Sequence, residues 1–436
     1  MLLPRFTRSF AKWLVGLSAG AVAAGCLVAC GGGGTTTAGN GSGVGSGGTG
    51  SFTTGSVTGF GSVIVNGIRY DNSGITPSSL DNDTVAELKL GMVIDVEGGE
   101  TSQVTKATGE VQTVAKASSV KVGFELLGPV TSGSVSASNG TFRSLGQAIN
   151  VTVDTFFDQN SGLAGLSDAQ KCPYVRVYGF PNNGSGYTAT RIECLSVLPS
   201  FFRVRGQVND ITGNLITINQ GQYTLPANVS PPSKGQVVRA LLSTSGTSWT
   251  VVSFNGESRP LSQTRAARVE GVVSDYSAAT GSLHVNGVPV TVSNITTLQL
   301  IDATLAAGMR VEVRGQLVNG VLNAALIKQD DERYDPPSSG GGSGGGGGQP
   351  PGDGLREIEL HGTVQSLDTN AKSFVTRGVT VYYVTGGSKP TRFSNGTASN
   401  LAGTTNGVGP FVEIKGVRSS SSAGAIVATE IKFSND

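Results

Sequence analysis

Histidine is almost missing from this chain: His284 and His361 are the only two among 436 residues. Metal centres and nucleophile triads lean on imidazole as ligand or base, so its scarcity argues against most such chemistry. Charge is thin too, at 14% of residues, and the signs cancel to a formal net charge of +1. Without a basic excess the chain lacks the electrostatic footprint of a nucleic-acid or anionic-lipid binder. Four cysteines are present, and Cys26 and Cys30 lie near the start, leaving Cys172 and Cys194 for the body. What the chain has in quantity is glycine, 65 residues. That composition fits neither a helical bundle nor an ordinary enzyme. A body of about 400 residues exceeds one core, so several small domains are expected.

The start reads as an export signal. Arg5, Arg8 and Lys12 precede an apolar run of 17 residues at 13–29. The run is short and rich in small residues for a permanent membrane helix, and suits a signal peptide over 1–29. Leu27-Val28-Ala29-Cys30 resembles the bacterial lipobox, in which the cysteine is diacylated before cleavage. The resemblance implies lipid attachment at Cys30, with Ala23-Ala24-Gly25-Cys26 the weaker alternative because Ala stands where Leu is usual. Gly31 in place of Asp implies the outer membrane, with its two faces left open. Thr7 stands where a twin-arginine signal needs its first arginine. Loss of the leader's three positive charges takes the formal net charge from +1 to −2. In an oxidising compartment Cys172 and Cys194 read as one disulfide.

Residues 30–52 are almost wholly Gly, Ser, Thr and Ala and cannot bury enough apolar surface to offset their ordering entropy. They are expected to be a flexible tether reaching about 25 Å. A second break at 330–354, with acidic residues and paired prolines around a glycine run, reads as a linker. Between and beyond the breaks lie five units, at 53–121, 122–200, 201–265, 266–329 and 355–436.

The unit at 266–329 is the clearest. Arg268 to Val273 reads as a strand, and Ser282-Leu283-His284-Val285 alternates strictly. Asn286-Gly287 then signals a two-residue hairpin turn leading into 288–292. Residues 300–306 suit one or two helical turns, after which 309–315 alternates apolar with charged and 321–328 completes five strands. The alternating fourth strand recurs at 92–98, 175–179 and 412–416, with a charged or polar residue expected to face outward. Opening strands recur at Gly55-Ser56-Val57, Gly128-Pro129-Val130, Gly206-Gln207-Val208 and Gly362-Thr363-Val364. The unit at 201–265 is the most degenerate, with Ala240 and Leu242 near the place of the usual fourth-strand glycine. Spacings of 78 and 65 residues between Gly128, Gly206 and Gly271 suit self-contained units better than a solenoid.

The reading is therefore an all-β chain of tandem small five-stranded OB-like barrels, joined by short connections and Gly-rich linkers. Closure of each barrel removes exposed edges. A hairpin centred on Asn183 would set Cys172 opposite Cys194. The runs Gly59-Phe60-Gly61-Ser62-Val63-Ile64-Val65-Asn66-Gly67-Ile68 and Leu88-Lys89-Leu90-Gly91-Met92-Val93-Ile94-Asp95-Val96-Glu97-Gly98 resemble the bacterial family called domain of unknown function 5666. The resemblance is specific in the first unit, good in the fourth and loose in the second, third and fifth. It implies an exported protein and assigns no activity.

Few residues offer chemistry. His284 sits between Leu283 and Val285 and should be a solvated strand residue. Glu357, Glu359 and His361 share one strand face, where two carboxylates and an imidazole could hold a divalent cation. Alternate residues of a strand lie roughly 6.5 to 7 Å apart, wide for one ion, so charge pairing with a neighbouring strand is the preferred reading and no metal is assigned. Asp330, Asp331, Glu332 and Asp335 lack the spacing of a calcium loop. Gly43 to Gly50 lacks the strand and helix a phosphate cradle needs. Tyr70, Tyr223, Tyr382 and Tyr383 are scattered without a basic groove, and read as core or edge packing before sugar stacking.

These readings point to a non-enzymatic, lipid-anchored cell-envelope protein that binds or scaffolds. Carbohydrate, extracellular polymer or an envelope protein is the expected partner, with membrane contact through the lipid, no nucleic acid and no cofactor. A hydrolase using acidic residues of the last unit is the second reading; it needs a carboxylate pair held in one pocket.

Overall fold

The computed structural model describes residues 50–80, 85, 87–106, 109–182, 185–245, 248–256, 264–301, 304–330, 357–403, 409–419 and 424–434. All belong to one compact unit, 47–436. Barrel I is built from Ser51–Gly59, Val63–Val65, Ile68–Asp71, Val93–Gly98 and Val111–Gly123. Its strands pair in a closed circuit, 1-2-3-5-4-1, antiparallel except where the third meets the fifth. This is the OB-type order, and the circuit recurs in barrel III (strands from Phe202–Thr212 to Ser248–Gly256) and barrel IV (Thr264–Ser277 to Val321–Gln329). In barrel II (Leu126–Pro129 to Tyr187–Leu195) the bridge from Val130 to Ser144 completes it. Barrel V splits its first strand into Ile358–Thr363 and Ser366–Asp368, and ends with Phe411–Arg418 and Ile426–Phe433.

The recurring glycines have a common cause. Asn286 and Gly287 take φ of 49° and 77° in the hairpin turn, and Asn66-Gly67, Leu145-Gly146 and Arg377-Gly378 repeat the pair of positive values. That turn folds back onto the glycine of the opening strand. A Cβ at Gly271 would stand 2.8 Å from the Asn286 nitrogen, and one at Gly55 would stand 2.6 Å from the Asn66 amide oxygen. The fourth-strand glycines instead sit at a bulge against the fifth strand, as at Gly179 and Gly315. Barrel III places its bulge at Leu241 and Leu242, and buries Leu242.

Closure leaves one edge open in each barrel, because the first half of strand 1 pairs with strand 4 on one side only. The barrels cover these edges with one another. Ser51 to Thr54 pair in parallel with Ala266 to Val269, joining barrels I and IV. Leu126 and Leu127 pair with Val204 and Arg203, joining II and III. Gly59 and Phe60 add to the edge of barrel V at Glu359 and His361. Edge pairing that would otherwise invite aggregation is thus satisfied within the chain. Barrels I and V share one apolar core and II and III another. Barrel IV encloses Phe52, which belongs to the first strand of barrel I and lies in the stretch expected to be tether.

Three expectations need correction. The described residues of 300–306 are not helical: the stretch follows a short strand, Thr297–Gln299, parallel to Val321–Gln329. Helical turns between the third and fourth strands do occur in barrels II and V, at Gln159–Ser161, Leu166–Lys171 and Ala398–Ala402. Cys172 and Cys194 are disulfide-bonded with Cα atoms 5.5 Å apart, but Cys194 faces Val175 across the hairpin. Pro181 already faces Tyr187 where a centre at Asn183 would give Ser185, and a register shift at Tyr178 and Gly179 adds to the offset, so the bridge ties the end of Leu166–Lys171 to strand 5. Finally, the outward charges of the fourth strands are not all in water: Asp95, Arg310 and Glu312 are buried, and Arg310 lies over the Phe180 ring of barrel II.

Candidate functional site at the junction of barrels I, II and V

Three barrels enclose a cleft of about 580 Å³. Barrel I supplies Glu87 and Lys89 from the segment before strand 4, and barrel II supplies Asp158 and Arg191. Barrel V supplies Gln365 and Arg377, the latter on the positive-φ hairpin turn. That turn aims Arg377 out of its own barrel. Its guanidinium lies 5.1 Å from the Phe60 ring centroid, within cation–π range, and 3.6 Å from Glu87, while Nε donates to the His361 carbonyl at 2.8 Å. Across the cleft, Lys89 approaches Asp158 at 3.5 Å and Glu193 at 3.6 Å; Arg191 reaches the same two acids at 3.3 and 2.9 Å. Burial raises the Glu193 carboxyl, but Arg191 and Lys89 outweigh it and hold the group below its ordinary value. Each of these cations already faces a carboxylate, so the walls are polar and close to neutral.

Behind the Arg377 wall lies a denser charged cluster. The pairing of strands 1 and 4 in barrel V sets Glu359 opposite Lys415 and His361 opposite Glu413. His361 Nε2 lies 2.9 Å from Glu359 Oε1 and 3.7 Å from Glu413 Oε1. Arg69 of barrel I grips the other oxygen of Glu359, and Lys432 lies 3.2 Å from the other oxygen of Glu413. Lys106, on a barrel I hairpin, reaches Glu413 Oε1 at 3.2 Å. Burial pushes the Glu359 carboxyl up, yet the His361 hydrogen bond and the Arg69 guanidinium overcome it and hold the group at about 2. Glu413 is likewise lowered: burial opposes, and Lys106 prevails.

Of the residues singled out in the sequence, Glu359 and His361 come together, but Glu357 does not join them. It stays exposed, 3.6 Å from Lys415, in the charge pairing expected of that face. Glu413 takes its place, and only the strand register could have disclosed it. His284 is a partly exposed residue 3.4 Å from Asp275. Tyr70, Tyr223 and Tyr383 are buried, and the Tyr223 hydroxyl donates to the Leu145 carbonyl of barrel II at 2.7 Å, so these tyrosines pack and brace. Asp330 lies 3.9 Å from Arg310. Cys30, Asp331, Glu332, Asp335 and the tether as far as residue 49, with the glycine-rich run from Gly43, lie outside the described residues.

A family model described as a domain of unknown function (DUF5666) matches residues 128–193, 270–328 and 361–432. Three segments of the chain are thus similar to DUF5666, as repeats of one domain type. The matched DUF5666 segments are most of barrels II, IV and V; the 59–98 stretch of barrel I that carries the resemblance most specifically is not among them. No curated protein matches the chain. Two DUF5666 segments therefore line the cleft, one with Asp158 and Arg191 and the other with Gln365 and Arg377.

Proposed function

We propose that this is a non-enzymatic, lipid-anchored envelope protein whose joined barrels present the three-barrel cleft to a carbohydrate or an extracellular polymer. The observation that carries the reading is the cleft itself. Its size falls within the roughly 300 to 1,000 Å³ of small-ligand sites. Its walls set carboxylates, an amide and guanidinium groups around a partly apolar floor, a set able to donate to and accept from hydroxyls. Cations already neutralised by Glu87, Asp158 and Glu193 favour an uncharged polyhydroxylated ligand over a phosphate. The Glu359 carboxyl, held at about 2, has no proton to give at neutral pH, which argues against it as the general acid of a hydrolase. Attachment at Cys30 and an outer-membrane address rest on the leader pattern, and the disulfide suits the oxidising compartment it implies.

Affinity electrophoresis through gels holding neutral polysaccharides tests the cleft. Retardation by at least one polymer is expected, with a tenfold or greater loss of affinity in the Gln365→Ala, Arg377→Ala double variant; an unretarded wild-type protein on every polymer would end the proposal. Labelled fatty-acid incorporation tests the anchor. It should vanish in Cys30→Ser and persist in Cys26→Ser.

A further inference from the structure

We infer that Glu359, His361 and Glu413 form a binding site for a divalent transition-metal ion of the Zn²⁺ type, and that the ion replaces the ammonium of Lys106. Three alternate residues on one strand spread too far for one ion. The fold removes that objection by exchanging the third residue of the strand for a cross-strand partner. His361 stands opposite Glu413 in the register, and its side chain leans toward Glu359. One ligand atom from each of the three residues lies within 4.8 Å of the others. A tetrahedral zinc site with metal–ligand bonds of about 2.0 to 2.1 Å has ligand–ligand edges of about 3.3 Å. The spacings of 2.9 and 3.7 Å from His361 Nε2 to the two carboxylates lie on either side of that value.

The surrounding cations must be weighed against this. Arg69 and Lys432 hold the Oε2 atoms, on the far side of each carboxylate from His361. In that position they orient the ligands without occupying the coordination point, as outer partners do in metal sites. Lys106 is different, because it lies 3.2 Å from Glu413 Oε1, the oxygen that faces the imidazole. Its side chain is 30% exposed and comes from barrel I, between the strands Ser102–Thr105 and Val111–Gly123. A partly exposed lysine pair is weakly held, so a divalent ion gaining an imidazole and two carboxylates displaces it. The imidazole selects the metal class: nitrogen with carboxylate favours Zn²⁺ and its neighbours, whereas Ca²⁺ and Mg²⁺ prefer oxygen alone.

His361 Nε2 and Glu359 Oε1 share one hydrogen at 2.9 Å. Coordination needs the Nε2 lone pair, so a neutral imidazole carrying its hydrogen on Nε2 must shift it to Nδ1, and an imidazolium must release one proton to solvent. Lys106 turns to water or to Glu110, already 3.9 Å away. Two of the three ligands, His361 and Glu413, lie inside a DUF5666 segment, and Glu359 just precedes it.

Calorimetric titration of the full mature chain with Zn²⁺, repeated with Co²⁺ while its visible absorption is recorded, tests the site. One ion per chain is expected, with at least tenfold weaker binding in His361→Gln and in Glu413→Gln and unchanged binding in His284→Gln. Lys106→Met removes the competing ammonium and should tighten binding several-fold, which separates this site from one that merely depends on correct folding. Circular dichroism of each variant shows whether the barrels are intact. Binding that survives His361→Gln, or no binding by either the wild type or Lys106→Met, overturns the inference.

Discussion

Glu270 shows what a single buried charge does in this protein. It is fully buried on the first strand of barrel IV, where it accepts from the Ser56 backbone N–H of barrel I at 3.0 Å and from the Arg310 guanidinium. Arg310 in turn lies 3.9 Å from Asp154 of barrel II, so one carboxylate helps to hold three barrels. Removing it leaves a desolvated guanidinium short of a counter-charge, a loss of about 3 to 5 kcal/mol. Glu270→Ala should therefore lower the denaturant midpoint steeply, and a shift of less than about 1 kcal/mol would mean that the pair is dispensable. Glu359 gives a second, pH-dependent effect. Its carboxyl falls from an ordinary 4.5 to about 2 on folding, so the native state gains stability above pH 4.5 and loses it as pH falls toward 2. The side chain is only 6% exposed, and the shift corresponds to about 3 kcal/mol. Urea melts at pH 6 and pH 3 should diverge in the wild type and diverge less in Glu359→Gln.

At the scale of elements, the disulfide is the simplest prediction. It closes a separation of 22 residues and pins the turn at Leu166–Lys171 onto strand 5 of barrel II, which by loop closure stabilises by about 3 kcal/mol. The Cys172→Ser, Cys194→Ser variant should lose about that much in chemical denaturation, with faster proteolysis between residues 159 and 172. What the sequence disclosed about such elements follows from range. Asn286-Gly287 is legible because a two-residue turn carries its own backbone preference, and the alternation at 309–315 is legible because strand period is local. The cysteine pairing was legible but its geometry was not, since the register depends on where the hairpin turns, with Pro181 facing Tyr187, and on the further bulge at Gly179. Residues 300–306 carry apolar spacing that a helix would use, yet Leu305 is buried in the barrel IV core without a helix. Glu413 was invisible as a partner of His361 for the same reason of register. The cleft was wholly illegible, since its walls come from residues near 89, 158, 191 and 377, and nothing local ties those together.

At the scale of the whole molecule, the question is whether five barrels behave as five proteins or as one. A string of independent beads would unfold in steps, each barrel at its own midpoint. Here strand 1 of barrel I pairs with barrels IV and V, and strand 1 of barrel II pairs with barrel III. Arg205 of barrel III meets Glu125 at 2.9 Å, while Arg418 of barrel V donates to backbone carbonyls of barrel II. Losing any one barrel exposes a strand edge and strands desolvated charge in its neighbours, so the penalty spreads beyond the barrel that opens. Calorimetry should accordingly show one dominant transition for 51–434, with a van't Hoff enthalpy far above that of a domain of about 70 residues. An isolated barrel IV, residues 264–330, would present the bare edge at 266–269 and an uncovered Glu270, and should self-associate or fail to fold. Five resolved transitions, or a monomeric and stable barrel IV, would show that the shared edges join the barrels without coupling them.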